Sequence, residues 1–345
     1  MVASSATVWH GPLMTDTTYD VVGLGNAIVD LIDAVSEQFL ADWDIRKEGM
    51  TLIEENRARD LTRQARSALV TPGGSGANTI AGLASFGSKA AYIGKVADDE
   101  LGKIFRKDMT DEGVWFDTPP LSDGPATARC IIFVTPDGAR TMNTFLGASV
   151  MFSPQDVNAD IVRAGKILYL EGYLFDREDA KAAFVHASEI ARAADRKVSL
   201  TLSDSFCVDR HRDSFRHLIK NHVDILFANE AELLSLYETE DFGEAVEALR
   251  GDQALAAVTR SEKGSVVIGD GDPIEVPAEP VDKVVDTTGA GDQYAAGFLF
   301  GYANGLPLSL CAKLGHIAAA EVISHYGPRP ETSLRDLAEK AGISV

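Results

Sequence analysis

The feature that most restricts the fold of this chain is an alternation of short apolar runs with stretches whose apolar residues recur at helical spacing. The later runs cover residues 167–170, 198–202, 225–227 and 256–258, and similar runs lie at 19–25 and 90–94. Fully apolar strands are typical of a sheet covered on both faces, and their alternation with helices is typical of parallel strands. The pattern predicts a doubly wound α/β fold with a mainly parallel sheet and helices on both faces.

One part of the chain interrupts this rhythm. Residues 127–135 and 140–145 are rich in β-forming side chains and flank the turn signal PDG at 136–138, which predicts a β-hairpin. Together with short strands at 31–36 and 50–53, the hairpin predicts a small β-sheet that projects from the α/β part as a lid. We assign residues 19–30, 56–112 and 149–345 to the α/β part, 31–55 and 113–148 to the lid, and 1–18 to a disordered leader.

Composition excludes several classes of partner. The 345 residues include 32 Lys and Arg against 52 Asp and Glu, for a formal net charge of −20. This charge repels nucleic-acid backbones and anionic lipid headgroups, so neither nucleic acid nor a membrane is an expected partner. The three cysteines lack the spacing of a metal site, and no apolar run has the length of a bilayer span. We expect a cytoplasmic monomer or homodimer that acts on a small molecule.

The strongest chemical signal is DTTGAGD at residues 286–292, followed by an apolar stretch that we expect to be helical. Gly289, Ala290 and Gly291 let a ligand approach their backbone, and a helix that begins here directs its N–H groups and positive dipole end at that ligand. Asp292 would repel a phosphate if binding were its only role. The presence of Asp292 is explained if its carboxylate removes a proton from an attacking hydroxyl. The pattern therefore predicts phosphoryl transfer with Asp292 as general base and the three preceding residues as an anion hole.

Two further loops follow apolar stretches early in the chain. Residues 23–28 read GLGNAI, in which Ile28 stands where a dinucleotide-binding fingerprint has its third glycine. Asn26 and Asp30 remain as polar groups that either hydrogen-bond sugar hydroxyls or cap the loop. Residues 73–78 read GGSGAN and lead into a helical stretch at 77–86, so the same substrate-binding role is open to Gly73, Gly74, Ser75 and Asn78.

Later strands also end in polar residues. Asn229 suits a helix cap, and Glu232, one helical turn further on, suits a magnesium ion held through water. Thr259, Ser261 and Gly264 follow the next strand, where they are candidates for lining a nucleotide.

Two isolated residues carry weaker signals. His316 lies in an apolar helical stretch, where both a core position and a purine contact are open. Arg140, on the predicted hairpin, is either solvated or clamps a phosphate when the lid closes.

Taken together, GGSGAN with residues 94–102 downstream and DTTGAGD with its helix resemble the two signature blocks of the ribokinase-like (PfkB) kinases. The resemblance extends from about residue 19 to the C-terminus and implies the fold predicted above, with ATP and Mg2+ as cofactors. It implies Asp292 as the base, residues 289–291 as the anion hole, and Asn229 and Glu232 for magnesium and phosphate. It also implies sugar contacts from Asp30, Gly74 and Asn78, and a monovalent cation such as K+ at Asp286 and Thr288. Ser261 and Ala97 depart from the family by replacing common glycines.

Within that family, GNAIVD at 25–30, KEGMTLI at 47–53 and RTMNTFLGA at 140–148 are similar to adenosine kinases. We therefore expect phosphorylation of the 5′-hydroxyl of adenosine. A sugar kinase of the same family, acting on fructose, ribose or a keto-deoxy sugar acid, is the alternative. A non-catalytic ligand sensor on the same scaffold is a third hypothesis, which the presence of Asp292 disfavours. Selection of adenosine requires a base-binding surface, which no pattern in the sequence locates.

Overall fold

The computed structural model describes residues 17–66, 68–252 and 255–343. Within these residues, the first strands are β1 (Tyr19–Leu24), β2 (Ile28–Ala34), β3 (Gly49–Leu52), β4 (Leu69–Gly73), β5 (Ala90–Ile93), β6 (Ala128–Val134) and β7 (Arg140–Phe145). The later strands are β8 (Gly165–Glu171), β9 (Lys197–Thr201), β10 (Ile225–Asn229), β11 (Leu255–Thr259), β12 (Ser265–Ile268) and β13 (Ile274–Val276).

The helices of the same residues begin with α1 (Glu37–Asp42), α2 (Glu55–Gln64), α3 (Ser75–Ser85), α4 (Glu100–Asp111), α5 (Ala159–Ala164) and α6 (Glu178–Ala193). They continue with α7 (Ser205–Asn221), α8 (Glu230–Tyr237), α9 (Phe242–Gly251), α10 (Ala290–Ala303), α11 (Leu308–Val322) and α12 (Leu334–Lys340). None of these described helices is both long and apolar enough to cross a lipid bilayer.

The large sheet has the strand order β13-β12-β11-β10-β9-β8-β1-β5. Its strands run parallel from β5 to β11, and β12 and β13 continue the sheet as antiparallel strands at one edge. The chain passes from β1 to β5 on one side and later returns to β8 on the other. A crevice therefore opens at the carboxyl ends of β1 and β8, which is where doubly wound sheets bind their ligands.

Helices cover both faces of the large sheet and bury an apolar core on each side. Phe184 and Phe215 lie in the core on one face, and Phe298 and Leu314 lie in the core on the other. Each fully buried side chain of this size contributes roughly 1.5–3 kcal/mol of hydrophobic free energy. These two cores give the sheet the rigidity with which it can position loops at its carboxyl edge.

The close packing of α10 against α11 depends on glycine. A Cβ added to Gly297 on α10 would lie 2.4 Å from the carbonyl oxygen of Leu314 on α11, which is too close for any side chain. Because α10 begins within DTTGAGD, this contact holds the beginning of the helix, and hence Asp292, in a set position.

A second sheet of five strands has the order β3-β7-β6-β2-β4. The pair β6–β7 is the predicted antiparallel hairpin, with Ile132 opposite Met142. One face of this small sheet is covered by α1 and α2, where Leu31 and Phe133 pack with Leu61 in a separate apolar cluster. The fold class predicted from the sequence, a doubly wound α/β part with a small β-sheet, is confirmed.

The predicted boundary between the two parts is wrong in three places. Residues 56–73 were expected in the α/β part, but α2 packs on the small sheet and β4 pairs with β2 there. Strand β2 already begins at Ile28, so residues 28–30 belong to the small sheet as well. Conversely, Trp115 pairs with Ala91 beside β5, and Phe116 lies in the core of the large sheet. The predicted disordered leader lies, up to residue 16, outside the described residues.

Candidate active site

Asp292 lies in the first turn of α10, facing the first turn of α3. Its Oδ1 accepts a hydrogen bond of 2.6 Å from the hydroxyl of Ser75, and its Oδ2 accepts one of 3.0 Å from Nδ2 of Asn78. The side chain of Gln293 adds a second link between the helices, because its amide nitrogen donates to the backbone oxygen of Asn78 at 3.0 Å. The two glycine-rich stretches of the sequence therefore meet at one carboxylate.

The electrostatic environment of Asp292 suits a proton acceptor. Burial raises the pKa of this carboxyl above its usual value, against the lowering effect of the hydrogen bonds from Ser75 and Asn78. No cationic side chain is among the causes of the shift. A carboxylate with a raised pKa is a stronger base than a free aspartate, and its two hydrogen bonds fix its orientation.

The backbone in front of Asp292 is open to a ligand. Gly289 precedes α10 in a left-handed conformation with φ of 80°, and a Cβ there would lie 2.7 Å from the backbone of Pro328. The N–H of Ala290 donates to the carbonyl of Thr287 at 3.2 Å, so this amide is already used within the turn. A Cβ at Gly291 would meet nothing within 4 Å. The N–H groups that begin a helix have no partner within it, which leaves Gly291 and Asp292 to offer theirs to an anion.

Glu171, which sequence reasoning missed, holds together the two loops that carry the predicted substrate residues. Its carboxylate lies at the end of β8, almost fully buried, and accepts hydrogen bonds from the backbone N–H of Gly76 at 2.8 Å and of Asn26 at 3.2 Å. Nδ2 of Asn26 donates to its other oxygen at 2.8 Å. Burial raises the pKa of Glu171 to about 7. The available signal was a polar residue directly after an apolar run, the same signal that drew attention to Asn229.

The predicted substrate residues on the small sheet and its loops lie near one another. Asp30, buried on β2, would overlap any side chain at Gly73, since a Cβ there would lie 2.4 Å from its Oδ2. Gly74 has φ of 93°, and a Cβ there would lie 2.6 Å from the backbone oxygen of Asn26. The glycines thus let the two loops and the carboxyl of Asp30 come together. The side-chain nitrogen of Asn26 is bound to Glu171, so Asn26 positions a loop in this structure.

Asp30 shares one face of the small sheet with a set of apolar side chains. Cross-strand partners lie on the same face, and the register places Cys130, Thr144 and Leu52 in a row with Asp30. The next row on that face consists of Leu69, Ile32, Ile132, Met142 and Met50. Leu52 and Met50 are about half exposed, at 52% and 48%. The face opposite to α1 and α2 is therefore an apolar surface beside a carboxylate.

Arg140 connects this same face to the DTTGAGD loop. It forms an ion pair through Nη1 with Asp286, the first residue of DTTGAGD, and both side chains are largely buried. Within the part of the chain that the structure describes, Nε and Nη2 of Arg140 are buried and have no hydrogen-bond partner. The guanidinium thus uses one nitrogen to hold Asp286 and has two more available.

Asn229 and Glu232 form a closed pair at the end of β10. The Asn229 side chain accepts from the N–H of Glu232 at 2.9 Å, and both oxygens of Glu232 accept from Asn229, from its N–H at 3.0 Å and its Nδ2 at 2.6 Å. Burial raises the pKa of Glu232 to about 7, and the charges of Asp204 and Asp292 act in the same direction. Asn229 is therefore the predicted helix cap, and Glu232 is a carboxylate that would be stabilised by a nearby cation.

This donor set fits a hydrated magnesium ion. Glu232 supplies the hard oxygen ligands that magnesium prefers, and a divalent cation would offset the burial and the neighbouring carboxylates that raise its pKa. Among the residues described, no three His, Cys, Asp or Glu side chains are close enough to hold a metal between them. A magnesium ion here would therefore take the rest of its ligands from water and phosphate.

The predicted nucleotide residues lie beside Asn229 along the same edge. Thr259 at the end of β11 is the register partner of Asn229. Ser261 has φ of 51°, which explains why glycine is common at this position in the family. Gly264 has φ of 88°, and a Cβ there would lie 2.1 Å from the backbone oxygen of Val276. These residues form a tight turn at the edge where β11 ends and β12 begins.

His316 occupies a core position on α11. Its Nε2 and the hydroxyl of Ser265 share a hydrogen bond of 2.9 Å, and the Tyr294 hydroxyl donates to Ser265 at 2.8 Å. Burial lowers the pKa of His316 to about 4, so the ring is neutral at physiological pH. Of the two roles that the sequence left open, the structure displays the core role, and the purine contact stays a prediction.

Comparison with known proteins identifies the family of this chain. A model of the pfkB family of carbohydrate kinases matches residues 41–334, and the chain belongs to this family. It is a kinase of the class that uses ATP to phosphorylate hydroxyl groups of adenosine or of sugars. The predicted family and enzyme class are thereby confirmed.

Of three informative relatives, one is described as an adenosine kinase and two are described as sugar kinases. The crystal structure of an adenosine kinase from Sinorhizobium meliloti is 52% identical with a TM-score of 0.88, and the match covers 94% of this chain and 100% of that chain. A probable sugar kinase from Rhizobium etli is 50% identical with a TM-score of 0.88, covering 94% and 99%. An uncharacterized sugar kinase from Archaeoglobus fulgidus is 31% identical over 72% of this chain and 96% of its own length.

Proposed function

We propose that this protein transfers the γ-phosphoryl group of ATP to the 5′-hydroxyl of adenosine, forming AMP and ADP, with Asp292 as the general base. The observation that supports this most strongly is the position of Asp292. It lies at the beginning of α10, oriented by Ser75 and Asn78 from the loop that begins α3. This position supports the role of base, because Asp292 lies between the predicted hydroxyl-binding loop and the N-terminus of α10.

In the proposed reaction, Asp292 takes the proton from the acceptor hydroxyl. The oxygen then forms a bond to the γ-phosphorus in line with the bond to the β-phosphate oxygen, which breaks to release ADP. Of the predicted anion hole at residues 289–291, the N–H of Gly291 is not used within the turn, and together with the N–H of Asp292 it stabilises negative charge on the transferred group. Magnesium bound with ATP near Glu232 would neutralise charge on the phosphates.

Arg140 is suited to contact a phosphate. Its Nε and Nη2 are buried without a partner among the described residues, and a buried unpaired guanidinium edge is costly unless a ligand satisfies it. The planar fork of an arginine matches phosphate oxygens. Since Arg140 stands on the small sheet, closure of that sheet would bring positive charge to the reaction and exclude water.

The apolar face of the small sheet supports adenosine over a free sugar. A ribose would lie at Asp30 and Asn78, and Leu52 and Met50 would offer an apolar surface next to it. A purine ring gains hydrophobic free energy on such a surface, whereas a sugar covered with hydroxyls does not. The similarity to a structure described as an adenosine kinase supports the same choice. The sugar-kinase relatives favour the alternative, a free sugar or keto-deoxy sugar acid as acceptor.

An acceptor panel tests the proposal. The purified protein is incubated with ATP and magnesium, and ADP release is measured with adenosine, other nucleosides, ribose, fructose and a keto-deoxy sugar acid. We expect adenosine to give the highest kcat/KM and AMP to form in equal amount with ADP. ADP release with a sugar but not with adenosine would establish the alternative. Absence of ADP release with every acceptor of the panel would contradict the proposed function.

A further inference from the structure

The carboxylate of Asp286 is fully occupied by groups of its own chain. Its Oδ1 accepts hydrogen bonds from the N–H of Thr288 at 3.0 Å and from the Thr288 hydroxyl at 2.7 Å. Its Oδ2 accepts one from the N–H of Gly327 at 3.1 Å and one from Nη1 of Arg140. Each carboxylate oxygen has two lone pairs, so these four donors complete the set.

The charge of Asp286 is also compensated inside the protein. Its side chain is 5% exposed and that of Arg140 is 13% exposed. Burial acts to raise the pKa of Asp286, but the hydrogen bonds from Thr288 and Gly327 and the charge of Arg140 hold it below its usual value. A monovalent cation, the expectation for Asp286 and Thr288, does not fit this arrangement, because the carboxylate offers it neither a free lone pair nor an uncompensated charge.

We infer that Arg140 is a positioning residue that takes the place of a monovalent cation at Asp286, so that turnover does not depend on K+. This inference rests on the proposed function, since it concerns the loop that carries Asp292. Arginine remains charged at every physiological pH, and it reaches Asp286 only while the small sheet lies over the catalytic loop. The same ion pair therefore couples the position of the small sheet to the loop.

The link from Asp286 to the anion hole runs through its two other partners. The bonds to Thr288 fix the turn that precedes Gly289. The bond to Gly327 fixes the segment whose next residue, Pro328, lies directly against Gly289. Gln293 also binds the carbonyl of Pro328 at 3.0 Å. Loss of the positive charge of Arg140 beside Asp286 would loosen the bonds to Thr288 and Gly327, and with them the turn at the beginning of α10.

A cavity of about 400 Å³ adjoins the Arg140–Asp286 pair and is lined in part by Thr288 and Tyr326. Truncation of Arg140 would extend this cavity to Oδ2 of Asp286 and leave its charge uncompensated. A potassium ion would then have both the space and the electrostatic reason to bind there.

The first experiment measures steady-state turnover, with the acceptor that the panel identifies, as tetramethylammonium is replaced by K+ at constant ionic strength. We expect the wild type to change by less than about twofold. Arg140→Ala should lose about a hundredfold in kcat without K+ and regain about tenfold with it, while its KM for ATP stays raised because a phosphate contact is missing. Asp286→Ala should be impaired and unresponsive to K+. Arg129→Ala, which removes an arginine from the other face of the neighbouring strand, is the matched control and should behave as the wild type.

The second experiment does not depend on activity. Crystals of the wild type and of Arg140→Ala are grown with Rb+, and anomalous scattering is measured at Asp286. We expect a peak in the variant and none in the wild type. Circular dichroism verifies that the variants fold. If Arg140→Ala proves unstable, Arg140→Lys is the second variant; it keeps a cationic side chain at this position, so its turnover should not respond to K+.

Several results would overturn the inference. These are a wild type stimulated about tenfold or more by K+, a Rb+ peak at Asp286 in the wild type, or an Arg140→Ala variant that neither responds to K+ nor binds Rb+. Absence of ADP release from the wild type with every acceptor would instead contradict the proposed function. The rubidium experiment would still decide whether Arg140 occupies the place of a cation.

Discussion

Asn26 and Glu171 are 145 residues apart in the chain, yet two hydrogen bonds join them, one of 3.2 Å from the backbone N–H of Asn26 and one of 2.8 Å from its Nδ2. The same carboxylate binds the N–H of Gly76 at 2.8 Å. Glu171 is therefore the point at which the loop after β1 and the loop before α3 are held at a set separation. Because these loops carry the candidate hydroxyl-binding residues, Glu171 should control binding of the acceptor more than chemistry.

Replacement of Glu171 by glutamine tests this role. A glutamine fills the same volume and can keep both backbone N–H groups on its oxygen, but its NH2 group then faces Nδ2 of Asn26. That contact is lost as it stands, and a buried donor without its partner costs about 1–3 kcal/mol. We expect the KM for the acceptor to rise about tenfold or more, with a smaller change in the KM for ATP. Glu178→Gln, a matched change at an exposed position on α6, should leave both constants unchanged. Equal effects on the two KM values would contradict a specific role in acceptor binding.

Asp292→Asn should abolish most turnover without unfolding the protein. Removal of a general base costs about 10²- to 10⁴-fold in kcat. The fold should tolerate the change, because Oδ1 of Asn78 is buried without a partner among the described residues, and a flip of the Asn78 amide would let it accept from the new NH2 group. Single-turnover kinetics and thermal unfolding measure the two effects. Near-normal turnover in a folded variant would rule out Asp292 as the base.

Two alanine substitutions separate support of the loop from contact with phosphate. Gly289→Ala would put a Cβ 2.7 Å from Pro328 in a left-handed conformation, so both the melting temperature and turnover should fall. Gly291→Ala meets nothing within 4 Å and should keep the melting temperature. If a phosphoryl group approaches Gly291, the turnover of Gly291→Ala should still fall, because the added methyl group obstructs that approach. Unchanged turnover of Gly291→Ala would place the transferred group elsewhere.

The pH dependence of kcat/KM should report Asp30. Burial raises the pKa of Asp30 to about 7, against the lowering effect of Arg140 and Arg329. An ionised carboxylate accepts hydrogen bonds from hydroxyls, so acceptor binding should weaken as the pH falls through 7 and Asp30 takes up a proton. We expect kcat/KM to rise with pH to about 7 and then level off. The step near that pH should vanish in Asp30→Asn, and its persistence would assign the step to another group such as Glu171 or Glu232.

The apolar face of the small sheet should determine which acceptor is used. Leu52→Ser keeps the strand pairing and removes apolar area at a half-exposed position, which should raise the KM for adenosine several-fold and leave the KM for ATP unchanged. Val70→Ser is a suitable control, because Val70 pairs with Leu31 and therefore lies on the opposite face. An unchanged KM for adenosine in Leu52→Ser would show that the base binds away from this surface.

Local patterns were sufficient to predict the fold class and the approximate positions of most strands of the large sheet. A strand buried on both faces has to be apolar along its length, and this constraint is visible in any short window of sequence. The same holds for DTTGAGD, since close approach of a ligand to a helix end requires small residues at adjacent positions. The boundary of the small sheet was not predictable in this way, because only the elements against which α2 and β4 pack show that they belong to the small sheet.

The family and the candidate base at Asp292 were thus determined by the sequence, through residues that act within one turn of backbone. Only the tertiary structure decided what Glu171, Arg140 and the apolar face of β3 and β7 contact. The two ion-binding expectations show the difference most clearly. Glu232 is paired with Asn229, three residues away, whereas Asp286, in the loop before α10, is paired with Arg140, 146 residues away on the small sheet. Contacts within one turn follow from local geometry, but a contact between the small sheet and the loop before α10 depends on how the whole chain packs.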